Sequence, residues 1–135
     1  MPRPVFALIA GALLAALVHP CASVGGLSEQ QQVDQATQAL VDGFRDDVRQ
    51  RIQSRGVNRA PTKWEVKQVK TQVVAGINYF VKVAISDGEC VDLRIYRPLP
   101  YTHQPPKLVA VMMNQDCATD VQYFEPSKDL QELFA

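Results

Sequence analysis

Hydrophobic residues recur at spacings of three and four over residues 28–55, which predicts one long amphipathic helix. Ser28 with Gln31 matches a capping box, and Asp34 is a competing start. Gly43 is a local weakness that a helix of this length tolerates. The apolar face consists of Val33, Ala36, Leu40, Val41, Phe44, Val48 and Ile52.

After Trp64, which we expect in the core, apolar and polar residues alternate with the period of two that is typical of strands. A fifth strand is predicted to end at Tyr123-Phe124. One helix followed by consecutive antiparallel strands predicts an α+β fold, with a four- to five-stranded sheet wrapped on the helix. The four main strands are predicted at 64–71, 77–85, 90–96 and 108–113.

The turn between the first two strands is apolar, where a hairpin normally carries polar residues. Val73, Val74 and Ala75 form its tip, and Gly76 follows them. An apolar tip that faces water gains free energy when a partner covers it. The pattern therefore indicates a binding surface and not a catalytic site.

The first residues have the pattern of a secretory leader. Arg3 supplies the positive end, residues 5–18 are continuously apolar, and small residues favour cleavage after Ser23. The apolar run is shorter than the ~20 residues that a membrane-spanning helix needs, so an anchor is the weaker interpretation. We expect a signal peptide at 1–23, a folded domain at 24–124, a C-terminal tail at 125–135, and a secreted, extracellular product.

Charge and cysteine content fit that compartment. Without the leader the net charge is about −1, which favours neither nucleic acid nor an anionic membrane surface. Cys21 falls in the leader, which leaves Cys90 and Cys117 as an even pair in a secreted chain. Their midpoint lies in the proline-rich turn 98–106, so a hairpin there brings them together as a disulfide. Two unrelated thiols remain the alternative.

The residue inventory argues against an enzyme. His103 is the sole histidine after residue 23, and a Cys–His nucleophile needs a free cysteine beside it. Histidine and cysteine residues are too few and too badly spaced for a zinc site. Glycine loops of the phosphate-binding kind are absent, and we expect no cofactor, no metal and no catalytic residue.

The segment Gln72-Val73-Val74-Ala75-Gly76 has the Q-x-V-x-G form of the cystatins, inhibitors of papain-like cysteine proteases. The likeness continues through residues 70–83 and resembles the stefin branch. Residues 24–28 resemble the stefin N-terminus, Leu99-Pro100 occupies the place of the second binding hairpin, and Tyr123-Phe124 resembles the C-terminal segment. The leader, the cysteine pair and the tail beyond Phe124 depart from stefins.

The resemblance implies a reversible, tight-binding inhibitor that occludes the cleft of a papain-like protease, such as a cathepsin, with three segments. Tyr101 and His103 are further candidates on the second loop. A non-inhibitory binding module with the same fold is the alternative. We expect a monomer, and a domain-swapped dimer would hide the binding edge. The implied contact residues are Val24, Gly25, Gln72, Val73, Val74, Ala75, Gly76, Leu99 and Pro100.

Overall fold

The computed structural model describes residues 25–126. Two helices pack on one antiparallel sheet, which confirms the predicted α+β class. None of the helices in this range is long and apolar enough to span a membrane. The elements are α1 (Gln35–Asp42), α2 (Arg45–Ser54), β1 (Glu65–Val74), β2 (Gly76–Ser86), β3 (Glu89–Arg97), a 3₁₀ turn (Pro100–Thr102) and β4 (Lys107–Gln115).

The four strands lie in the order β1-β2-β3-β4, and each pairs with its neighbour in sequence. Their valine-rich alternation explains why the four main strands were predictable. Register places Gln72 opposite Asn78, and Asn78 opposite Tyr96. These three residues therefore form a row across β1, β2 and β3.

The prediction that the helix starts at Ser28 is wrong. Helix α1 begins after Asp34, whose carboxylate accepts a hydrogen bond of 2.7 Å from the amide of Thr37. That hydrogen bond lowers the pKa of the Asp34 carboxyl. The amide of Ser28 donates instead to the carbonyl of Thr71, and the Ser28 hydroxyl accepts from the Thr71 amide. Residues 27–31 thus run along the outer edge of β1.

The single predicted helix is also interrupted, at Gly43 and Phe44. The Gly43 amide bonds to the carbonyl of Ala39, and α2 starts two residues later. Glycine weakens a helix interior enough for such a break. Both helices still turn the same apolar face toward the sheet, because Val41 and Val48 are both fully buried.

The core lies between the helices and the inner face of the sheet. Trp64 packs at its margin and donates its indole N–H to Asp42 at 3.0 Å, in agreement with the predicted core role. The buried side chains of this core cluster are Val41, Val48, Ile52, Val66, Val69, Val81, Val83, Ile85, Val91, Leu93, Ile95, Leu108 and Val111.

The outer face of the sheet is covered by residues 117–125, which we call the C-terminal strap. Its Val121 is fully buried, and the rings of Tyr123 and Phe124 lie 5.4 and 5.8 Å from that of Phe80. No strand is assigned in the strap, so the predicted fifth strand is absent from the described residues. No backbone ladder holds this segment. It is held by ring packing, by the disulfide of Cys117, and by hydrogen bonds between its backbone and the side chains of Gln68 and Arg94.

Two further bonds involve this outer face. Cys90 at the start of β3 is joined to Cys117, with Cα atoms 5.2 Å apart. The β3–β4 pairing sets Cys90 opposite Gln115. Cys117 follows two residues later and is therefore close enough to form this bond. A buried ion pair joins Lys82 to Asp92 at 2.9 Å.

The two edges of the sheet are both covered. Residues 27–31 lie along β1, with bridges from Leu27 to Gln72 and from Gln31 to Val69. On the other edge, the side chains of Arg51 and Arg55 donate to carbonyl oxygens of β4, each at 2.8 Å. Open edges template pairing with other chains, so both contacts disfavour such pairing.

Candidate functional site

The β1–β2 hairpin ends in an exposed apolar tip. Val73 pairs with Ile77 and Val74 with Gly76, which leaves Ala75 at the reversal. Val73 is 60% exposed and Val74 is 39% exposed. Two β-branched side chains are therefore presented to solvent by a backbone that paired strands hold in place.

Gly76 is required by the geometry of this turn. Its φ angle is +122°, which side-chain-bearing residues rarely adopt. An added Cβ would lie 2.5 Å from the carbonyl oxygen of Arg97 and 2.8 Å from the ring of Tyr96. The hairpin tip thus packs directly against the end of β3.

The N-terminal segment reaches the same edge. Leu27 bridges to Gln72, and the Gln72 side-chain amide donates to the carbonyl oxygen of Gly25 at 2.6 Å. Gly25 therefore lies beside the hairpin, as the resemblance implies. Val24, the other candidate on this segment, lies outside the described residues.

The β3–β4 loop supplies the third segment. It starts beside the hairpin, because Arg97 pairs with Ile77. Leu99 is half-buried, while Pro100 is exposed and opens the 3₁₀ turn. Tyr101 is 76% exposed, the largest exposed fraction among the exposed large hydrophobic residues of the described chain.

Sequence reasoning missed two residues that support this edge. Asn78 is buried and donates its side-chain amide to Gln72 Oε1 at 3.0 Å. Tyr96 donates its hydroxyl to the carbonyl oxygen of Ala75 at 2.5 Å. The strand register could have identified them, because it places Asn78 between Gln72 and Tyr96 across three strands.

The edge has the chemistry of a binding surface. No aspartate or glutamate occurs in residues 66–86 or 93–115, the bodies of the two hairpins. Over residues 25–126, no group of three or more His, Cys, Asp or Glu side chains is placed to hold a metal ion. Cys90 and Cys117 are joined to each other, and His103 is exposed on the loop.

Comparison with known proteins supplies the family. The cystatin domain matches residues 58–117. Cystatin-B of Pan troglodytes is 32% identical over 100 residues, which cover 74% of this chain and 97% of that protein. The chain belongs to the cystatin family. Similar relatives include cystatin-B of Bos taurus (29% over 100 residues; 74% and 97% covered) and stefin-C of Bos taurus (28% over 102 residues; 76% and 96% covered).

These relatives place the chain on the stefin side of the family. Cystatins are inhibitors of cysteine proteases and not enzymes, so this cystatin is assigned to a family of inhibitors. The alignment runs nearly the full length of each relative named here, so the whole relative is represented in the match.

Proposed function

We propose that this cystatin is a secreted, reversible, tight-binding inhibitor of papain-like cysteine proteases of the cathepsin type. Three segments block the cleft: the N-terminal stub at Val24 and Gly25, the first hairpin at Gln72–Gly76, and the second loop at Leu99 and Pro100. The observation that carries the proposal is the exposed Val73-Val74 tip, flanked by Gly25 on one side and the start of the second loop on the other.

Burial of apolar surface supplies the driving force. Fully burying an exposed valine side chain is worth about 1.5–3 kcal/mol, and the tip offers two valines that are 60% and 39% exposed. Paired strands already fix the backbone of the tip, so little conformational entropy is lost on binding. Because occlusion needs no scissile bond at the protease nucleophile, the inhibitor dissociates intact.

Secretion is supported by the leader pattern and by the pairing of Cys90 with Cys117. Expression of the full chain in a secretory host tests it. The expected product in the medium starts at Val24 and has no free thiol after denaturation. Retention in the cytosol with residues 1–23 attached would contradict secretion and leave the inhibitory proposal standing.

The deciding experiment is a titration of papain of known active-site concentration with residues 24–135. The remaining activity is measured as hydrolysis of a small fluorogenic peptide. A stoichiometric loss of activity that is regained on dilution and competition is the expected result. A folded monomer that leaves papain fully active would favour the non-inhibitory binding module.

A tip variant makes the titration specific. Replacing Val73 and Val74 together by Gln removes the apolar contacts and keeps strand-compatible backbone. We expect inhibition to weaken by at least about tenfold, because the exposed parts of the two side chains together amount to about one valine, worth roughly 1.5–3 kcal/mol on burial, and 1.4 kcal/mol is tenfold. Circular dichroism and thermal unfolding should match the parent, because both side chains face solvent in the free protein.

A further inference from the structure

Gln72, Asn78 and Tyr96 form a row on the outer face at the hairpin end of the sheet, which we call the polar row. Each residue comes from a different strand, and each lies opposite the next in register. Only Gln72 belongs to the family motif. The other two do not lie in any of the three proposed contact segments.

The Gln72 side chain uses both ends of its amide. Its Nε2 donates to the Gly25 carbonyl at 2.6 Å, while its Oε1 accepts from Asn78 Nδ2 at 3.0 Å. A glutamine amide turned by 180° would set oxygen against the Gly25 carbonyl and two N–H donors against the Asn78 amide. Because the Gly25 carbonyl can only accept and Asn78 Nδ2 donates, the two contacts together set which end of Gln72 faces the stub.

Burial makes this orientation firm. Asn78 is only 5% exposed, so water does not replace Gln72 as the partner of its amide. Leaving a buried amide without a partner costs roughly 1–3 kcal/mol. The alternative rotamer of Gln72 is disfavoured by that amount, and the stub carbonyl keeps its donor.

Tyr96 acts on the hairpin itself. Its ring lies against Gly76, and its hydroxyl donates to the carbonyl oxygen of Ala75 at the tip. Ala75 is the residue at the reversal, where the strand ladder supplies no partner for this carbonyl. The hydroxyl thus ties the tip to β3.

We propose that Asn78 and Tyr96 are positioning residues of the inhibitory edge: Asn78 aligns the N-terminal stub through Gln72, and Tyr96 holds the hairpin tip through Ala75. Neither residue needs to touch the protease. The proposal rests on the proposed function, and it divides the polar row into two independent supports, one for each segment.

The division predicts a pattern of coupling that a merely structural role would not produce. Inhibition constants are measured for chains that begin at Val24 or at Leu27, each in the parent, Asn78→Ala and Tyr96→Phe backgrounds. In the parent, removing the stub should weaken inhibition by about tenfold, or 1.4 kcal/mol. With Asn78→Ala the same truncation should cost less than threefold, because the stub is already misaligned.

Tyr96→Phe should behave differently. It removes only the hydroxyl, so inhibition weakens by a similar factor in both the long and the short chain. Tyr79→Phe is the matched control, because Tyr79 packs against the core on the opposite face of the sheet. This variant should leave every inhibition constant unchanged. Should Asn78→Ala unfold the chain, Asn78→Leu replaces it, because leucine fills a similar volume and cannot donate to Gln72.

A second measurement needs no protease. Amide ¹⁵N relaxation should report a restricted Gly26 in the parent and a mobile one in Asn78→Ala, with no change in Tyr96→Phe. A parent that inhibits but shows the same truncation factor in all backgrounds would overturn the positioning proposal and leave the proposed function intact. A folded parent without inhibition would overturn both.

Discussion

The carbonyl oxygen of Arg97 lies 2.5 Å from the position that a Cβ atom would occupy on Gly76. Real Cβ atoms do not approach backbone oxygen this closely, so the first hairpin and the end of β3 meet without room for a methyl group. Since β3 leads directly into the second loop, this contact fixes two of the three proposed binding segments relative to each other.

We expect Gly76→Ala to lower the free energy of unfolding by about 2 kcal/mol and to weaken papain inhibition by more than tenfold. Strain at positive φ and displacement of the Arg97 backbone are the causes. The matched control is Gly88→Ala, where φ is also positive (+77°) but no atom lies within 4 Å of the added Cβ. That variant should lose stability and keep full inhibition. Equal inhibition by the two variants would contradict the prediction.

The Cys90–Cys117 bond should contribute stability without contributing to inhibition. Its two cysteines are 27 positions apart, and closing a loop of that size stabilises a fold by about 3.5 kcal/mol. The double variant Cys90→Ser with Cys117→Ser should have a free energy of unfolding lower by about that amount, and a lower melting temperature. It should inhibit papain as the parent does, because Cys90 lies at the end of β3 remote from Arg97.

The control for this prediction is a reductant. Dithiothreitol should lower the melting temperature of the parent to that of the double variant and leave the variant itself unchanged. Two thiols that react in the oxidised, denatured parent would show that the bond had not formed.

Lys82→Met should destabilise the protein by about 3–5 kcal/mol at pH 7, because it leaves Asp92 buried without its partner. Burial already raises the pKa of the Asp92 carboxyl in the parent, against the opposing effect of the Lys82 ammonium. The Asp92 carboxyl therefore binds its proton more tightly in the folded state than in the unfolded state. As a result, the free energy of unfolding falls as pH rises from 3.8 through the raised pKa. The fall should be steeper in the variant.

Urea unfolding at pH 4 and pH 7 measures that slope. The control is Lys67→Met, which removes an exposed partner of Glu65 and should cost at most about 1 kcal/mol at either pH. A Lys82→Met variant that is equally destabilised at both pH values would contradict the raised pKa.

Arg51→Gln combined with Arg55→Gln should increase self-association. These side chains donate to the carbonyls of Leu108 and Val111, and their loss leaves acceptors open on the β4 edge. Sedimentation velocity at increasing concentration should detect dimers. Arg45→Gln with Arg49→Gln makes the same charge change on exposed positions of the same helix and should stay monomeric.

The strands and the apolar tip were predictable because their pattern is local: valine-rich alternation and a missing polar turn are visible within a few residues. The start of the helix was not, since both Ser28 and Asp34 are good caps. The choice was made by Thr71, whose backbone groups engage Ser28 on the edge of β1. A partner 43 residues away is invisible to a capping rule.

The prediction of a fifth strand in the C-terminal strap was wrong for a related reason. Tyr123 and Phe124 have the composition of a strand, but the backbone edges of the sheet are already covered by residues 27–31 and by two arginines. Their rings pack on Phe80 instead. Asn78 and Tyr96 were missed because a polar residue within a strand carries no signal of its own until the register gives it neighbours.

The anchoring of Leu27 and Ser28 to β1 has a consequence for the proposed leader. Only residues before this anchor lie outside the backbone pairing with β1, and each adds at most about 3.5 Å of reach toward a partner. If the chain is processed after Ser23, as proposed, three such residues remain, a maximum of about 10 Å. Shifting the cleavage by one position would change that distance by a third, so the processing enzyme that trims the precursor would also tune the affinity of the product.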